Sequence, residues 1–223
     1  MESNEAETVK VVLLGESGVG KTSIIAQFTA GKFDPDCVTS LSAQFVSKTV
    51  EFRNFDKVIK FDIWDTAGQE KYRALAKIFY KDAKGILLVY DITDLKSFNE
   101  IKSYWYNMIK QNADPDAIVA IVANKSDLYG NEQVKEDEGK EFAKSVGAFF
   151  QSTSAKSDTG ITSLFDNIGQ KYFNPNFDPN TQDQQQQEEF NKKKNEEKQK
   201  KKQPQGVQLT VENTKKKQKK KCC

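Results

Sequence analysis

Gly15-Glu16-Ser17-Gly18-Val19-Gly20-Lys21-Thr22 follows a short apolar run, Val9 to Leu14, and precedes a segment with helical spacing at Ile24, Ile25 and Phe28 that Gly31 ends. The order reads as a buried strand, a glycine-rich turn and a helix, and the turn fits the pattern G-x-x-x-x-G-K-[ST]. Glycines in such a loop let backbone N–H groups wrap phosphates. Lys21 neutralises the outer phosphates, and Thr22 offers a hydroxyl to Mg²⁺. Gly15, Ser17, Gly18, Val19, Gly20, Lys21, Thr22 and Ser23 are therefore candidate nucleotide-binding residues.

Outward from this loop the chain alternates strand and helix patterns. Residues 45–52 alternate with Val46, Val50 and Phe52 on one face, residues 58–64 with Ile59, Phe61 and Ile63, and residues 53–57 between them read as a hairpin turn. Gly85 to Tyr90 and Ala117 to Val122 are continuous apolar runs, as expected of central parallel strands. Ser97-Phe98-Asn99-Glu100 is a capping-box signature that predicts a helix start, with Ile101, Trp105 and Met108 on its buried face. Further helices are expected over 133–146 and 161–173, and a last short strand over 148–153. Together these predict an α/β fold: a doubly wound, mostly parallel six-stranded sheet with helices on both faces. In such a sheet ligands bind at the carboxyl ends of the strands.

Three more segments fall at that edge. In Asp65-Thr66-Ala67-Gly68-Gln69 the Asp suits a strand-end Mg²⁺ site, Gly68 an N–H to a γ-phosphate, and Gln69 the orientation of an attacking water. Asn124-Lys125-Ser126-Asp127 fits N-K-x-D, a guanine reader. A carboxylate accepts two hydrogen bonds from guanine's ring N–H and exocyclic amine, which adenine does not present in that arrangement. An unpaired buried carboxylate is costly, so such sites discriminate by about 10⁴. Ser154-Ala155-Lys156 adds a backbone contact to the base oxygen.

Composition narrows the chemistry. The 223 residues contain no histidine, which excludes Ser-His-Asp or Cys-His catalysis and His-ligated metals. Arg53 and Arg73 are the only arginines, so candidates for an internal arginine finger are few. Cys37, Cys222 and Cys223 have no zinc or disulfide spacing, which predicts a cytosolic chain, and Cys37 reads as a loop residue without a role. No apolar run approaches about 18 residues, and the polar Met1–Thr8 is no signal peptide. From Pro175 on, thirteen Lys stand against seven Asp or Glu, a surplus of six positive charges; the whole chain carries +2, which leaves residues 1–174 with −4. An acidic body over 1–174 is thus expected before a basic tail, with a folded domain over 9–174 between a disordered N-terminus, 1–8, and a disordered, lysine-rich tail, 175–223.

These motifs together resemble the Ras superfamily of small GTPases over residues 9–174. The resemblance implies a switch that binds GTP or GDP with Mg²⁺ through Thr22, Asp65 and Ser40, and that hydrolyses GTP slowly with Gln69 and Lys21 as its catalytic residues. It implies that Phe33 stacks on guanine opposite Lys125, the other reading being a core residue at a helix exit. Ile63 to Leu75, Leu88 to Thr93 and Ser17 are similar to the Rab family, and the segment Val38 to Phe45 to its early-endosomal branch. Ser40 stands where that family has Thr, Ser42 where many members have Gly, and Phe79 where Tyr is common.

Phe45 and Trp64 lie opposite the apolar faces of their strands and are expected to point to solvent. The resemblance makes them, with Phe79, an effector surface; the plainer reading is packing beneath a loop. Implied partners are effectors, a GTPase-activating protein that supplies an arginine, an exchange factor, a GDP-dissociation inhibitor and an escort protein, with the chain a monomer that binds no nucleic acid. Lys215 to Lys221 is a basic segment, and Cys222-Cys223 after it resembles the Rab signal for two geranylgeranyl groups, which implies anchoring to the cytoplasmic face of intracellular, endosomal membranes beside a cytosolic pool. A lysine run alone also suits a solvated tail, a nuclear signal or RNA binding. Two rival functions are a P-loop kinase, disfavoured by the scarcity of arginine, and a non-hydrolysing scaffold of the same fold, disfavoured by Lys21, Thr22, Asp65 and Gln69.

Overall fold

The structure, a computed structural model, describes residues 5–36, 44–66 and 80–180. Six strands form one sheet in the order β2-β3-β1-β4-β5-β6. They are β1 (Glu7–Leu14), β2 (Gln44–Phe52), β3 (Lys57–Asp65), β4 (Gly85–Asp91), β5 (Ile118–Asn124) and β6 (Phe149–Ser152). Only β2 runs antiparallel, paired with β3 through a short 3₁₀ turn at Arg53–Phe55. The remaining pairs are parallel. The expected architecture is what the sequence folds into.

Alternation along the strands splits the core in two. Val9, Val11 and Leu13 of β1 face one side, where α1 (Lys21–Ala30) and α5 (Ile161–Phe173) pack. Val12 and Leu14 face the other, covered by α2 (Leu95–Glu100), α3 (Tyr106–Asn112) and α4 (Glu136–Ser145). On the first side Phe28 of α1 and Phe165 of α5 lie stacked, with centroids 3.7 Å apart and planes 9° from parallel. Both are buried, and Phe61 meets each edge-on.

The helix expected to start at Ser97 starts earlier. Asp94 is its N-cap, its side chain accepting from the Lys96 amide at 3.0 Å. Ser97 is instead fully buried: its Oγ accepts from the Asp91 amide and donates to the Asp94 carbonyl, which ties the helix to the end of β4. Between α2 and α3 the backbone makes a π turn over Ile101–Trp105, closed by the Tyr106 amide on the Ile101 carbonyl. The predicted stripe Ile101, Trp105 and Met108 is buried despite this interruption. The helix expected over 133–146 is shorter, Glu136–Ser145, and the last helix has its expected span.

Two further differences concern the sheet's margins. Trp64 does not point freely into solvent: it is half-buried against the second core and lies under the Lys10 ammonium, 5.5 Å from the ring centroid. Phe45, by contrast, is half-exposed at 50%. Past the boundary expected at residue 174 the chain folds back on the sheet. Lys171 Nζ donates to the Phe177 carbonyl at 2.9 Å, Pro179 is buried, and Asn180 Oδ1 accepts from the Phe150 amide of β6 at 3.1 Å. At the other edge Lys48 of β2 turns inward, its ammonium 4.2 Å from the Phe28 ring centroid and donating to the Phe28 carbonyl.

Truncation of the stacked pair tests this core. Phe165→Ala is expected to cost about 3–5 kcal/mol, as large-to-small changes at packed aromatics do. Urea unfolding at one fixed nucleotide concentration reads it, since bound ligand adds its own stability. A loss below about 1 kcal/mol would place the stack outside the stabilising core.

Candidate functional site

The register brings the strand ends to one edge. Leu13 pairs with Asp65, and Asp91 with Asn124. The loop after β1 turns tightly here because two glycines permit it. A Cβ on Gly15 would lie 2.2 Å from the Val89 carbonyl oxygen, and one on Gly20, at φ 96°, would lie 2.3 Å from Asn124 Nδ2. The two glycines thus let the loop lie directly against the ends of β4 and β5 as it enters the N-terminus of α1, an end that favours anions.

Lys21, the first residue of α1, folds back over the loop. Its Nζ donates to the Gly15 carbonyl at 2.9 Å and the Glu16 carbonyl at 2.8 Å. It is buried, and burial pulls its ammonium down to about 8, against the opposing pull of the Asp65 and Glu16 carboxylates. A phosphate beside it would favour the charged form.

Thr22 Oγ1 donates to Asp65 Oδ2 at 2.5 Å. Asp65 ends β3 and is buried, and the next residue, Thr66, fastens that end to β1 by donating to the Leu13 carbonyl at 2.7 Å. A hydroxyl and a carboxylate held together are oxygen donors that suit Mg²⁺, which is commonly bound by one or two protein oxygens plus substrate phosphates. Among the described residues no cluster of three or more carboxylate or thiol groups stands ready for a metal. The Thr22 and Asp65 oxygens fit a metal that also takes phosphate oxygens.

Asn124 ends β5 fully buried. Its Nδ2 donates to the Val19 carbonyl at 2.8 Å, and its Oδ1 accepts from Thr153 Oγ1 at 3.2 Å. One amide thus joins the glycine loop, the end of β5 and the loop after β6. Next to it Lys125 adopts φ 65° and pairs with Asp91 at 2.6 Å. Asp127 accepts from Ser154 Oγ at 2.5 Å, and Ser154 Oγ in turn accepts from the Ser157 amide. Lys156 Nζ stands 4.0 Å from the other Asp127 oxygen. A cleft of about 280 Å³ opens between these loops, lined by Gly18, Gly20, Ser23, Phe33, Lys125, Asp127, Ala155 and Lys156 among others. Phe33 and Lys125 share this cleft, as stacking on a flat base requires, and Phe33 is 38% exposed, so it is no core residue.

The motifs read from sequence therefore converge, except where the residues lie outside those described: Cys37, Ser40, Ser42, Gly68, Gln69, Phe79, Cys222 and Cys223. Sequence reading missed Asp91, Thr153 and Trp105. Asp91 and Thr153 sit at or just past strand ends on the binding edge, so the strand-end rule applied to every strand finds them. Trp105 donates from Nε1 to Glu16 Oε1 at 3.0 Å, a contact across 89 positions that no local pattern announces.

Comparison with known proteins agrees with this geometry. Residues 10–174 match the family model described as Ras family. The chain is 41% identical over 172 residues to the human Ras-related protein Rab-22A, covering 77% of this chain and 86% of that one. It is 38% identical over 157 residues to Ras-related protein SEC4 of Candida albicans, covering 70% and 73%. Over 161 residues it is 37% identical to Ras-related protein RabC of Dictyostelium discoideum, covering 72% and 82%.

Removing the Asn124 bridge tests the site. Asn124→Ala deletes two buried hydrogen bonds, each of about 1 kcal/mol, and should speed GDP release by roughly 10- to 100-fold. Stopped-flow release of a fluorescent GDP measures this, and an unchanged rate would show that the amide does not hold the two loops in their binding arrangement.

Proposed function

We infer the function from a shown kinship: the chain belongs to the Ras family, and within it to the Rab-type small GTPases. It binds guanine nucleotide, hydrolyses GTP to GDP and phosphate, and acts in vesicle trafficking through regulators and effectors. We propose the following roles for its residues. The observation that supports them is the Asn124 amide, which fastens a phosphate cradle and a base cleft into one nucleotide-sized site.

Gly15 to Ser23 cradle the phosphates, with Lys21 as a fixed positive charge. Asp127 accepts from the guanine edge, Ser154 to Lys156 read the base oxygen, and Phe33 and Lys125 cover the ring faces. Thr22, Asp65 and Ser40 hold Mg²⁺, which when bound supplies positive charge at the phosphate oxygens. Gln69 orients a water whose oxygen bonds to the γ-phosphorus as the bond to the bridging oxygen breaks. The water's proton leaves with the phosphate. Gly68 donates its N–H to the γ-phosphate. Arg53 lies in the β2–β3 turn, 91% exposed, and serves no such step. As the family kinship implies, an activating protein supplies the arginine, an addition that contributes about 10³–10⁵ in rate to related enzymes.

Phe45, with its ring 5.0 Å from Trp64, forms with Phe79 the surface that effectors read. An exchange factor, a GDP-dissociation inhibitor and an escort protein complete the cycle. Cys222 and Cys223 carry geranylgeranyl groups that hold the chain, as a monomer, on endosomal membranes. Two lipid chains anchor stably where one is marginal.

Gln69→Leu should keep GDP affinity and cut unaided hydrolysis, itself on the order of 10⁻⁴ s⁻¹, by at least roughly tenfold. Single-turnover phosphate release decides it: equal rates would remove Gln69 from the mechanism, and a wild-type chain that binds GTP without hydrolysing it would favour the scaffold reading. For the membrane assignment, N-terminally tagged Gln69→Leu is expected on early endosomes and a Cys222/Cys223→Ser double variant in diffuse form. Residence on another compartment refutes the endosomal branch alone, and diffuse signal for both refutes the lipid anchor.

A further inference from the structure

The contact between Trp105 and Glu16 lies outside every role assigned above. Glu16 is a carboxylate inside the phosphate loop, between Gly15 and Ser17. Anions bound by this loop and a carboxylate on it repel each other, so where that carboxylate is held matters to binding. Trp105 Nε1 donates to Glu16 Oε1 at 3.0 Å. The indole is 1% exposed, packed among the second core with Tyr104 edge-on at 5.1 Å. An indole N–H only donates, so it recognises an acceptor such as this carboxylate and nothing basic.

The helix is built to aim that donor. Trp105 closes the π turn Ile101–Trp105, where the Tyr106 amide reaches back five positions to Ile101. One residue fewer in the turn would rotate the following side chains by roughly 100°. Turns of this kind recur at functional positions in helices. The same Glu16 presents its backbone carbonyl to Lys21 Nζ at 2.8 Å, so the residue is gripped at both ends: main chain by the phosphate lysine, side chain by the helix.

We propose that Trp105 is a positioning residue for nucleotide binding: its indole N–H holds the Glu16 carboxylate against the helix and away from the bound phosphates. Released, the carboxylate turns toward the phosphates and shortens nucleotide residence. This rests on the phosphate-cradling role of residues 15–22.

The experiment uses the full chain and release of fluorescent GDP. At about 0.1 M salt Trp105→Phe, which keeps an aromatic ring but no donor, should release GDP about tenfold faster, and at about 1 M salt, where charges are screened beyond roughly 3 Å, less than about threefold faster. Glu16→Gln keeps an acceptor without the charge, and on that background Trp105→Phe should speed release by less than about threefold. With Glu16→Ala already in place, Trp105→Phe should add nothing. An acceleration of equal size with and without Glu16, or independent of salt, would mean that Trp105 matters only by packing and would overturn the proposal. A second readout needs no change at 105. The chain has two tryptophans, so the Trp105 indole N–H signal is the one that persists in Trp64→Phe. In the GDP complex it should exchange slowly with water and shift on Glu16→Ala; a signal indifferent to Glu16 overturns the proposal. A wild-type chain that fails to hold GDP overturns the phosphate-loop reading beneath it, and the proposal with it.

Discussion

A single buried side-chain amide ties the working edge of this molecule together. Asn124 reaches the glycine loop with its NH₂ and the loop after β6 with its oxygen. The loop after β6 is also tied to β5 by the Thr153 amide on the Ala123 carbonyl at 2.8 Å, so the Asn124 amide adds the glycine loop to a joint the backbone has begun. The glycine loop can approach only because Gly20 offers no Cβ where the amide stands. Buried polar atoms need partners, so each of these groups is fixed by the others' demand for a hydrogen bond. The glycine loop and the loop after β6, far apart in the chain, are thereby mechanically one.

Around that bridge the charges are arranged in opposite-sign neighbours. Asp91 meets Lys125, Asp127 faces Lys156, and Lys21 lies between the fields of Asp65 and Glu16. Each cation is thus directed by a carboxylate behind it, as second-row groups direct metal ligands. The exposure of Lys21 is small enough that burial works against its charge, and a phosphate restores what burial takes away.

Much of this was legible in the chain because it is local. The loop from Gly15 to Thr22 carries its own turn chemistry, and the apolar runs of β4 and β5 declare buried parallel strands. The doubly wound order follows from the alternation. What was not legible depends on how the elements pack once folded, which a local pattern does not report. Ser97 looks like a cap but is drawn into the core by the end of β4, and Asp94 caps instead. Trp64 alternates like a solvent-facing residue yet is covered from the side by Lys10 and the second core. The segment 175–180 is polar by composition, but Pro179 and Asn180 find places against β6 that composition does not encode.

That last contact changes how the sheet meets other chains. An open sheet has two edges, each a row of unpaired backbone groups that invites a further strand. Here the edges are closed by different means. At β6 the Asn180 side chain occupies the Phe150 amide, imitating a neighbouring strand by one bond. At β2 the inward-turned Lys48 places a charge where an incoming strand would want an apolar face. Molecules crowded on a surface meet edge to edge far more often than molecules dispersed in solution. The two guards therefore act as protection against β-aggregation, and a truncation before residue 180 would leave one edge of the sheet open to it.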